Sequence, residues 1–198
     1  MSRTKSLTVM GTLAVLLVVQ PGYASHHFPD YPVRPAGEYA NKVVKAGLIV
    51  GVEPVEDPEH QKTYFNSRLG SQGILPVFIV IQNTSATDAY LFDKSAVGLG
   101  EAAEVTGKGA RETALPLGSG GLVDLALYVA DLTRFREQDN LMNLVKKEVR
   151  SKTLSPGSSM YGFVYVPVPI DAPRKKIHLQ VPLTNAQSSE TEVVNLFF

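Results

Sequence analysis

The segment from Ile74 to Gln82 constrains the fold of this chain more than any other. Its centre, Val77 to Ile81, is wholly apolar and rich in β-branched residues. Because successive residues of a strand point to opposite faces, such a run is apolar on both faces. Pro76 lies near its start, where a missing backbone donor is tolerated. The sequence therefore predicts a central strand that is covered on both sides.

Further strands are predicted wherever apolar residues alternate or branched and aromatic residues concentrate. Turn signals separate them, such as Leu154 to Gly157, in which Pro and Gly are adjacent. The predicted strands are 46–55, 74–82, 90–99 with an interruption at Asp93-Lys94, 160–168, 177–182 and 193–198.

Helical signals occur in two places. Asp57 followed by Pro58 is typical of a helix start, and a short helix is predicted from there to about Phe65. A longer helical region is predicted at about residues 120–150, as one bent helix or a pair of helices. Its apolar residues recur with a 3.6-residue period in two stretches, namely Leu122, Leu125, Ala126, Val129 and Leu132, then Leu141, Leu144, Val145 and Val149.

The order of these elements defines the predicted fold class. Strands come first, one helical region follows, and strands close the chain, so strands and helices do not alternate regularly. This order argues against a parallel, doubly wound sheet. The sequence predicts a mainly β protein, an antiparallel β-sandwich with one helical insertion at about residues 120–150.

Three segments resemble the immunoglobulin-like domains of bacterial envelope proteins, many of which are exported or lipid-anchored. They are the strand Gly47 to Pro54, the strand Leu75 to Asn83, and the turn at Leu154 with the following strand Gly162 to Tyr165. The resemblance implies an immunoglobulin-like sandwich and an envelope location. Such domains share no catalytic residues, so it implies nothing about chemistry.

The N-terminal residues predict export. A basic start, Met1 to Lys5, precedes an apolar run from Leu7 to Val19, and the small residues Gly22 and Ala24 precede a cut before Ser25. This is the pattern of a secretory signal peptide, here residues 1–24. The alternative is an uncleaved anchor, although the run is shorter than the roughly 20 residues that a span requires. Membrane contact is predicted only in that case.

The composition of the chain limits the cellular location and the binding partners that can be predicted for it. The chain has no cysteine, so neither acylation at a mature N-terminal cysteine nor a disulfide is available to it. Without Arg3 and Lys5 of the leader, 17 basic residues face 19 acidic ones. Because no basic excess exists, no nucleic acid partner is predicted. The predicted location is periplasmic or secreted, without a lipid anchor.

Residues 25–45 form a predicted extended lead-in to a domain of residues 46–198. Pro29, Pro32 and Pro35 recur at every third position, which is incompatible with a helix or a central strand. Two interpretations remain open at this point, a flexible linker and a segment that packs along the domain.

Histidines are the residues from which a metal site could be built. His26, His27 and Asp30 are the candidate ligands, but adjacent side chains of an extended segment point in opposite directions. A solvated N-terminal segment is therefore the favoured interpretation. His60 and His178 are isolated in the sequence, and a stable site would require them to converge with other ligands.

No motif for catalysis or for a cofactor is found. The chain lacks a cysteine nucleophile and a G-x-S-x-G turn, and Gly118 to Gly121 lacks the Lys-Ser or Lys-Thr of a phosphate-binding loop. We therefore predict no catalytic residue and no cofactor. A candidate partner surface is the amphipathic stretch that contains Leu122, Leu125, Val129 and Leu132, which either packs on a sheet or contacts a partner.

These observations favour an exported, non-enzymatic envelope protein that binds or supports another envelope component, for which another envelope protein is a candidate. The alternative is an exported hydrolase or metal-dependent enzyme that uses His, Asp and Glu residues. That alternative requires His60 and His178 to approach each other and an acidic residue.

Overall fold

The computed structural model describes residues 28–101, 138–168 and 176–198. They form a mainly β protein, and every pairing between its strands is antiparallel, which confirms the predicted class at this level. The elements are β1 (Asn41–Lys45), β2 (Leu48–Pro54), α1 (Pro58–Phe65), β3 (Ile74–Asn83), β4 (Tyr90–Phe92), β5 (Gly98–Glu101), α2 (Gln138–Lys147), β6 (Lys152–Leu154), β7 (Ser159–Pro167), β8 (Ile177–Asn185) and β9 (Thr191–Phe197).

The strands form two sheets. The first has the order β1-β2-β3-β7. In the second, β8 pairs with β9 on one side and with β5 and β4 on the other, and β6 lies beyond β4. Alternate residues of both sheets, such as Val50 and Ile79 in the first and Leu183 and Leu196 in the second, belong to one apolar core.

The prediction for the central strand is confirmed. β3 lies between β2 and β7, and each of its residues except Gln82 is buried. One face of β3 contributes to the core shared with the second sheet. Phe78 lies on the other face and packs against the rings of Tyr31, Tyr39 and Phe163. β3 is thus covered on both sides, as its apolar sequence requires.

Helix α1 is also confirmed, because its start is encoded locally. The Asp57 carboxylate accepts hydrogen bonds from the backbone N–H of Glu59 at 2.7 Å and of His60 at 3.4 Å. The first of these bonds lowers the pKa of Asp57 below its usual value. The helix ends at Asn66, which has the left-handed φ of 53° that often terminates helices.

The lead-in is part of the folded domain. Its last residues form β1, which the sequence analysis did not predict and which pairs with β2 through a two-residue turn at Ala46 and Gly47. Both turn residues have positive φ, 49° and 75°, as a tight hairpin turn requires. The expected domain boundary at residue 46 therefore falls inside this hairpin.

The earlier part of the lead-in covers the outer face of the first sheet. The Tyr31 ring lies 4.9 Å from the Tyr64 ring, 4.7 Å from Phe78 and 5.2 Å from Phe163, measured between centroids. Tyr39 is buried as well. The two interpretations of the lead-in were a flexible linker and a segment that packs along the domain. The described residues of the lead-in agree with the second.

Polar contacts hold the lead-in at both ends of this aromatic layer. The Arg34 guanidinium donates to the Glu53 carboxylate of β2 at 2.8 Å. Near the other end, the Lys147 ammonium of α2 donates to the Pro29 carbonyl. Burial lowers the pKa of Lys147, and the nearby Asp30 carboxylate opposes that shift.

Two glycines permit close approaches to the first sheet. A Cβ on Gly51 of β2 would lie 2.6 Å from the Ala36 carbonyl oxygen of the lead-in. A Cβ on Gly162 of β7 would lie 2.5 Å from the Val149 Cα. The Val149 N–H donates to the Phe163 carbonyl at 2.9 Å, so residues 148–149 lie directly along the edge of β7.

The interruption predicted at Asp93-Lys94 is confirmed, and β8 explains it. A 3-10 helix at Lys94–Ala96 separates β4 from β5, and both strands pair with β8. The pairings end at Leu183 for β4 and resume at Gln180 for β5. Pro182, which has no N–H to donate, lies in this gap.

Of the predicted helical region, the structure describes α2 and the residues after it. The helical region was predicted to extend to about residue 150, and α2 ends at Lys147. The Leu144 carbonyl accepts a hydrogen bond from the Tyr165 hydroxyl at 2.9 Å, and the Asn143 amide donates to the Tyr64 carbonyl at 2.9 Å. These bonds fix α2 against β7 and α1.

The substitution Gly162→Ala is expected to destabilise the domain by about 2 to 3 kcal/mol, because the new methyl group would overlap backbone atoms of Val149. Urea denaturation followed by circular dichroism would measure the change. Gly37→Ala is the matched control, since no atom lies within 4 Å of its Cβ position. Equal losses in the two variants would contradict the proposed close approach.

Alkaline pH is expected to destabilise the domain partly through Tyr31. Burial, followed by the Glu53 carboxylate, raises the pKa of Tyr31 above its ordinary value of 10.0. The unfolded chain therefore ionises first, so this contribution to the free energy of unfolding is complete below pH 10.0 and is lost as pH rises above it. Burial raises the pKa of Tyr165 too, which adds a loss of the same sign.

Tyr31→Phe should accordingly reduce, without abolishing, the loss of stability between neutral and alkaline pH. Denaturation curves at a series of pH values would show a shallower alkaline decline than in the unsubstituted protein. Tyr161→Phe, at an exposed position, is the control and should leave the decline unchanged. An identical decline in Tyr31→Phe and the unsubstituted protein would refute the assignment.

Candidate functional surface

The outer faces of the two sheets differ. The lead-in, α1 and α2 cover the outer face of the first sheet, where Tyr31, Phe65 and Tyr165 join one aromatic layer. On the second sheet, the outward residues of β8 and β9 alternate with core residues and are partly or largely exposed. Among the described residues, the outer face of the second sheet is thus a broad strand surface that neither the lead-in nor a helix covers.

We call this surface the neutral face. The strand registers place its residues in four rows across the sheet. None of them is Asp, Glu, Lys or Arg, although these types make up 19% of the chain. The rows are Thr153, Leu91, Thr184 and Thr191; Pro182 and Val193; Gly98, Gln180 and Asn195; and Gly100, His178 and Phe197.

Large apolar side chains on the neutral face are exposed. Phe197 retains 54% of its accessible surface, Leu91 45% and Val193 37%. Their immediate neighbours in sequence, such as Val194 and Leu196, are almost fully buried in the core. The contrast shows that the outward residues of β9 contribute little to the core.

A hydrogen-bonded network organises the polar side chains of this face. Nε2 of His178 lies 2.9 Å from Oδ1 of Asn195, and the Gln180 amide donates to the same oxygen at 3.4 Å. Because an amide oxygen only accepts, Nε2 of His178 carries the proton in this bond. The His178 ring also stacks on Phe197, with centroids 4.4 Å apart and planes at 15°.

Three polar atoms of this network have no hydrogen-bond partner within the part of the chain that the structure describes. No described residue bonds to the Nδ2 amide of Asn195, to Oε1 of Gln180 or to Nδ1 of His178. The first of these groups donates, and the other two accept when the imidazole is neutral. One compact set of side chains therefore offers both a donor and acceptors.

Two glycines adjoin this network on β5. Gly98 is paired with Gln180 and Gly100 with His178. A Cβ on Gly98 would lie 3.3 Å from Oε1 of Gln180, so the Gln180 side chain lies over Gly98.

The predicted metal ligands are not brought together in the described part of the chain. Asp30 is exposed beside Lys147, whereas His26 and His27 lie outside the described residues. Within residues 28–101, 138–168 and 176–198, no group of three or more His, Cys, Asp or Glu side chains is arranged to hold a metal.

His60 and His178 belong to different layers. His60 lies in α1, which packs through Phe65 onto Phe163 of the first sheet. His178 lies on the outer face of the second sheet, against Phe197. The two imidazoles are thus separated by the sheets, and the convergence that the enzymatic alternative requires does not occur between them.

The helical candidates for a partner surface, Leu122, Leu125, Val129 and Leu132, lie outside the described residues. In α2, Met142 and Val145 are exposed and Leu144 is buried. Of the helices in the described parts of the chain, none combines the length and the apolar character that crossing a bilayer demands.

A second polar cluster has a structural role. The Lys94 ammonium and the Glu148 carboxylate form an ion pair of 2.9 Å, with little of either side chain exposed. Beside it, the Asp93 carboxylate accepts hydrogen bonds from Ser95, which lower the pKa of Asp93, and from Ser151. The cluster ties the β4–β5 junction to the segment that follows α2.

Sequence reasoning did not identify the neutral face, because its residues come together only through strand register. His178 was considered as an isolated ligand, and its stacking partner Phe197 is nineteen residues away. A signal was nevertheless present: residues 177–185 contain no charged residue, and 191–198 contain only Glu192.

Comparison of the chain with protein-family models, with curated proteins and with solved structures found no match.

The neutral face should be largely dispensable for folding. Leu196→Ala is expected to lower the free energy of unfolding by about 3 kcal/mol because it leaves a cavity in the core. Phe197→Ala, at the adjacent outward position, should cost about 1 kcal/mol or less, since only the stack on His178 is lost. Chemical denaturation would measure both values. A larger loss for Phe197→Ala would show that this face is structural.

Proposed function

We propose that this protein is an exported, non-enzymatic envelope protein that binds another envelope component through the neutral face. In this proposal residues 1–24 are a cleaved signal peptide, and the two sheets form an immunoglobulin-like sandwich. The mature protein is periplasmic or secreted and carries no lipid anchor, because it has no cysteine to acylate.

The observation that carries the proposal is the exposure of Phe197, Leu91 and Val193 on one charge-free face. Neighbouring apolar residues of the same strands are buried in the core, whereas these three contribute little to it. Exposed apolar residues grouped on one surface and framed by polar groups are typical of an interaction site.

The absence of charge on this face limits what it can bind. Nucleic acids and anionic lipid surfaces are bound chiefly through Lys and Arg, and the neutral face contains neither. A component with little charge of its own fits better, because no ion is then desolvated without a partner.

Export can be tested by N-terminal sequencing of the protein recovered from a fractionated bacterial host. We expect a soluble envelope fraction that contains a chain beginning at Ser25. A chain that retains residues 1–24 in the membrane fraction would instead indicate an uncleaved anchor. Recovery from the cytoplasm would reject export.

Binding can be tested with a photoreactive amino acid placed at Val193 on the neutral face. The matched control places it at Tyr161, which is exposed on the first sheet. After irradiation of intact cells, we expect an adduct from position 193 and none from position 161, resolved by electrophoresis and mass spectrometry. Absence of an adduct at 193, or the same adduct at both positions, would reject this face as the binding site.

A further inference from the structure

We infer that the neutral face binds an uncharged glycan chain, with a sugar ring against Phe197 and sugar hydroxyls on the side-chain amides of Gln180 and Asn195. This inference rests on the proposed function and specifies the chemical class of the envelope component. It derives from three properties of the face, which are its charge, its hydrogen-bonding groups and its exposed aromatic ring.

Charge complementarity favours a neutral ligand. None of the twelve positions in the four rows is occupied by Asp, Glu, Lys or Arg. A charged ligand on this face would lose hydration without gaining an opposite charge in return. A neutral polymer avoids that cost.

The hydrogen-bonding groups match sugar hydroxyls. Each hydroxyl both donates and accepts, so it is satisfied by a surface that offers both roles at short range. Nδ2 of Asn195 donates, and Oε1 of Gln180 accepts on the same row. Nδ1 of His178 adds an acceptor in the next row. A uniformly donating or accepting surface would not match in this way.

The aromatic group matches the apolar face of a pyranose ring. That face consists of C–H groups, which pack favourably against the negative face of an aromatic ring. The Phe197 ring is already held by its stack on His178, at 4.4 Å, while more than half of its surface stays accessible. A side chain that is held in place before binding loses little rotamer freedom on binding.

A folded protein partner is less well matched to this composition. The centres of protein interfaces are enriched in aromatic residues, Met and Arg. The neutral face instead consists mainly of Thr, Gly, Asn and Gln, with one aromatic ring besides His178. Protein binding is therefore an outcome that the test must separate from glycan binding.

The test is calorimetric titration of the mature chain with four neutral hexasaccharides: cellohexaose, maltohexaose, mannohexaose and chitohexaose. We expect binding of at least one of them. Phe197→Ala should weaken that binding about tenfold or more, because the stacking surface is lost. Tyr161→Ala removes an equally exposed aromatic residue from the first sheet and should leave the affinity unchanged.

A second variant tests the amide network without altering an aromatic residue. Gly98→Val should weaken binding because its side chain would displace Oε1 of Gln180, which lies 3.3 Å from the Cβ position. Thermal denaturation would confirm that the variant is folded.

Two results would overturn the inference, namely failure of all four glycans to bind, or binding that neither variant weakens. If glycans fail while the crosslinker at Val193 captures a protein, the proposed function stands and the glycan assignment falls. If position 193 also gives no adduct, both fall. Binding that depends on Phe197 and Gly98 but not on Tyr161 supports the glycan assignment.

Discussion

The burial of β3 on both faces is the constraint on which the rest of the structure depends. Five consecutive apolar residues, Val77 to Ile81, cannot be shielded by one layer, so the fold must supply two. The second sheet provides one layer through the shared core. The other is assembled from the lead-in, α1 and α2, whose rings and helix contacts converge on Phe78 and Phe163.

Because both faces of β3 must be covered, the elements that stabilise the domain differ from the surface that is accessible to a partner. Everything that covers the first sheet is committed to β3 and β7, including the helices. The second sheet contributes only its inner face to the core, so the outward residues of β8 and β9 are not required for core packing. The neutral face is the surface that this division leaves available, and its composition can follow function because folding does not determine it.

The sequence predicted the elements that local signals encode. Asp57-Pro58 specifies the start of α1, and the run of β-branched residues specifies β3. β1 was missed because Asn41–Lys45 is short and ends in Lys, and its pairing depends on the neighbouring strand. The neutral face was missed for a related reason. The pairing of His178 with Phe197 is a property of register, which no residue displays by itself.

The position of the lead-in also determines on which side of the described domain the chain enters. The chain enters the domain at Pro29 and Tyr31, over the outer face of the first sheet, and the neutral face is the outer face of the opposite layer. The lead-in and the neutral face therefore lie on opposite sides of the described domain. A partner on the neutral face does not compete with the lead-in for the same surface.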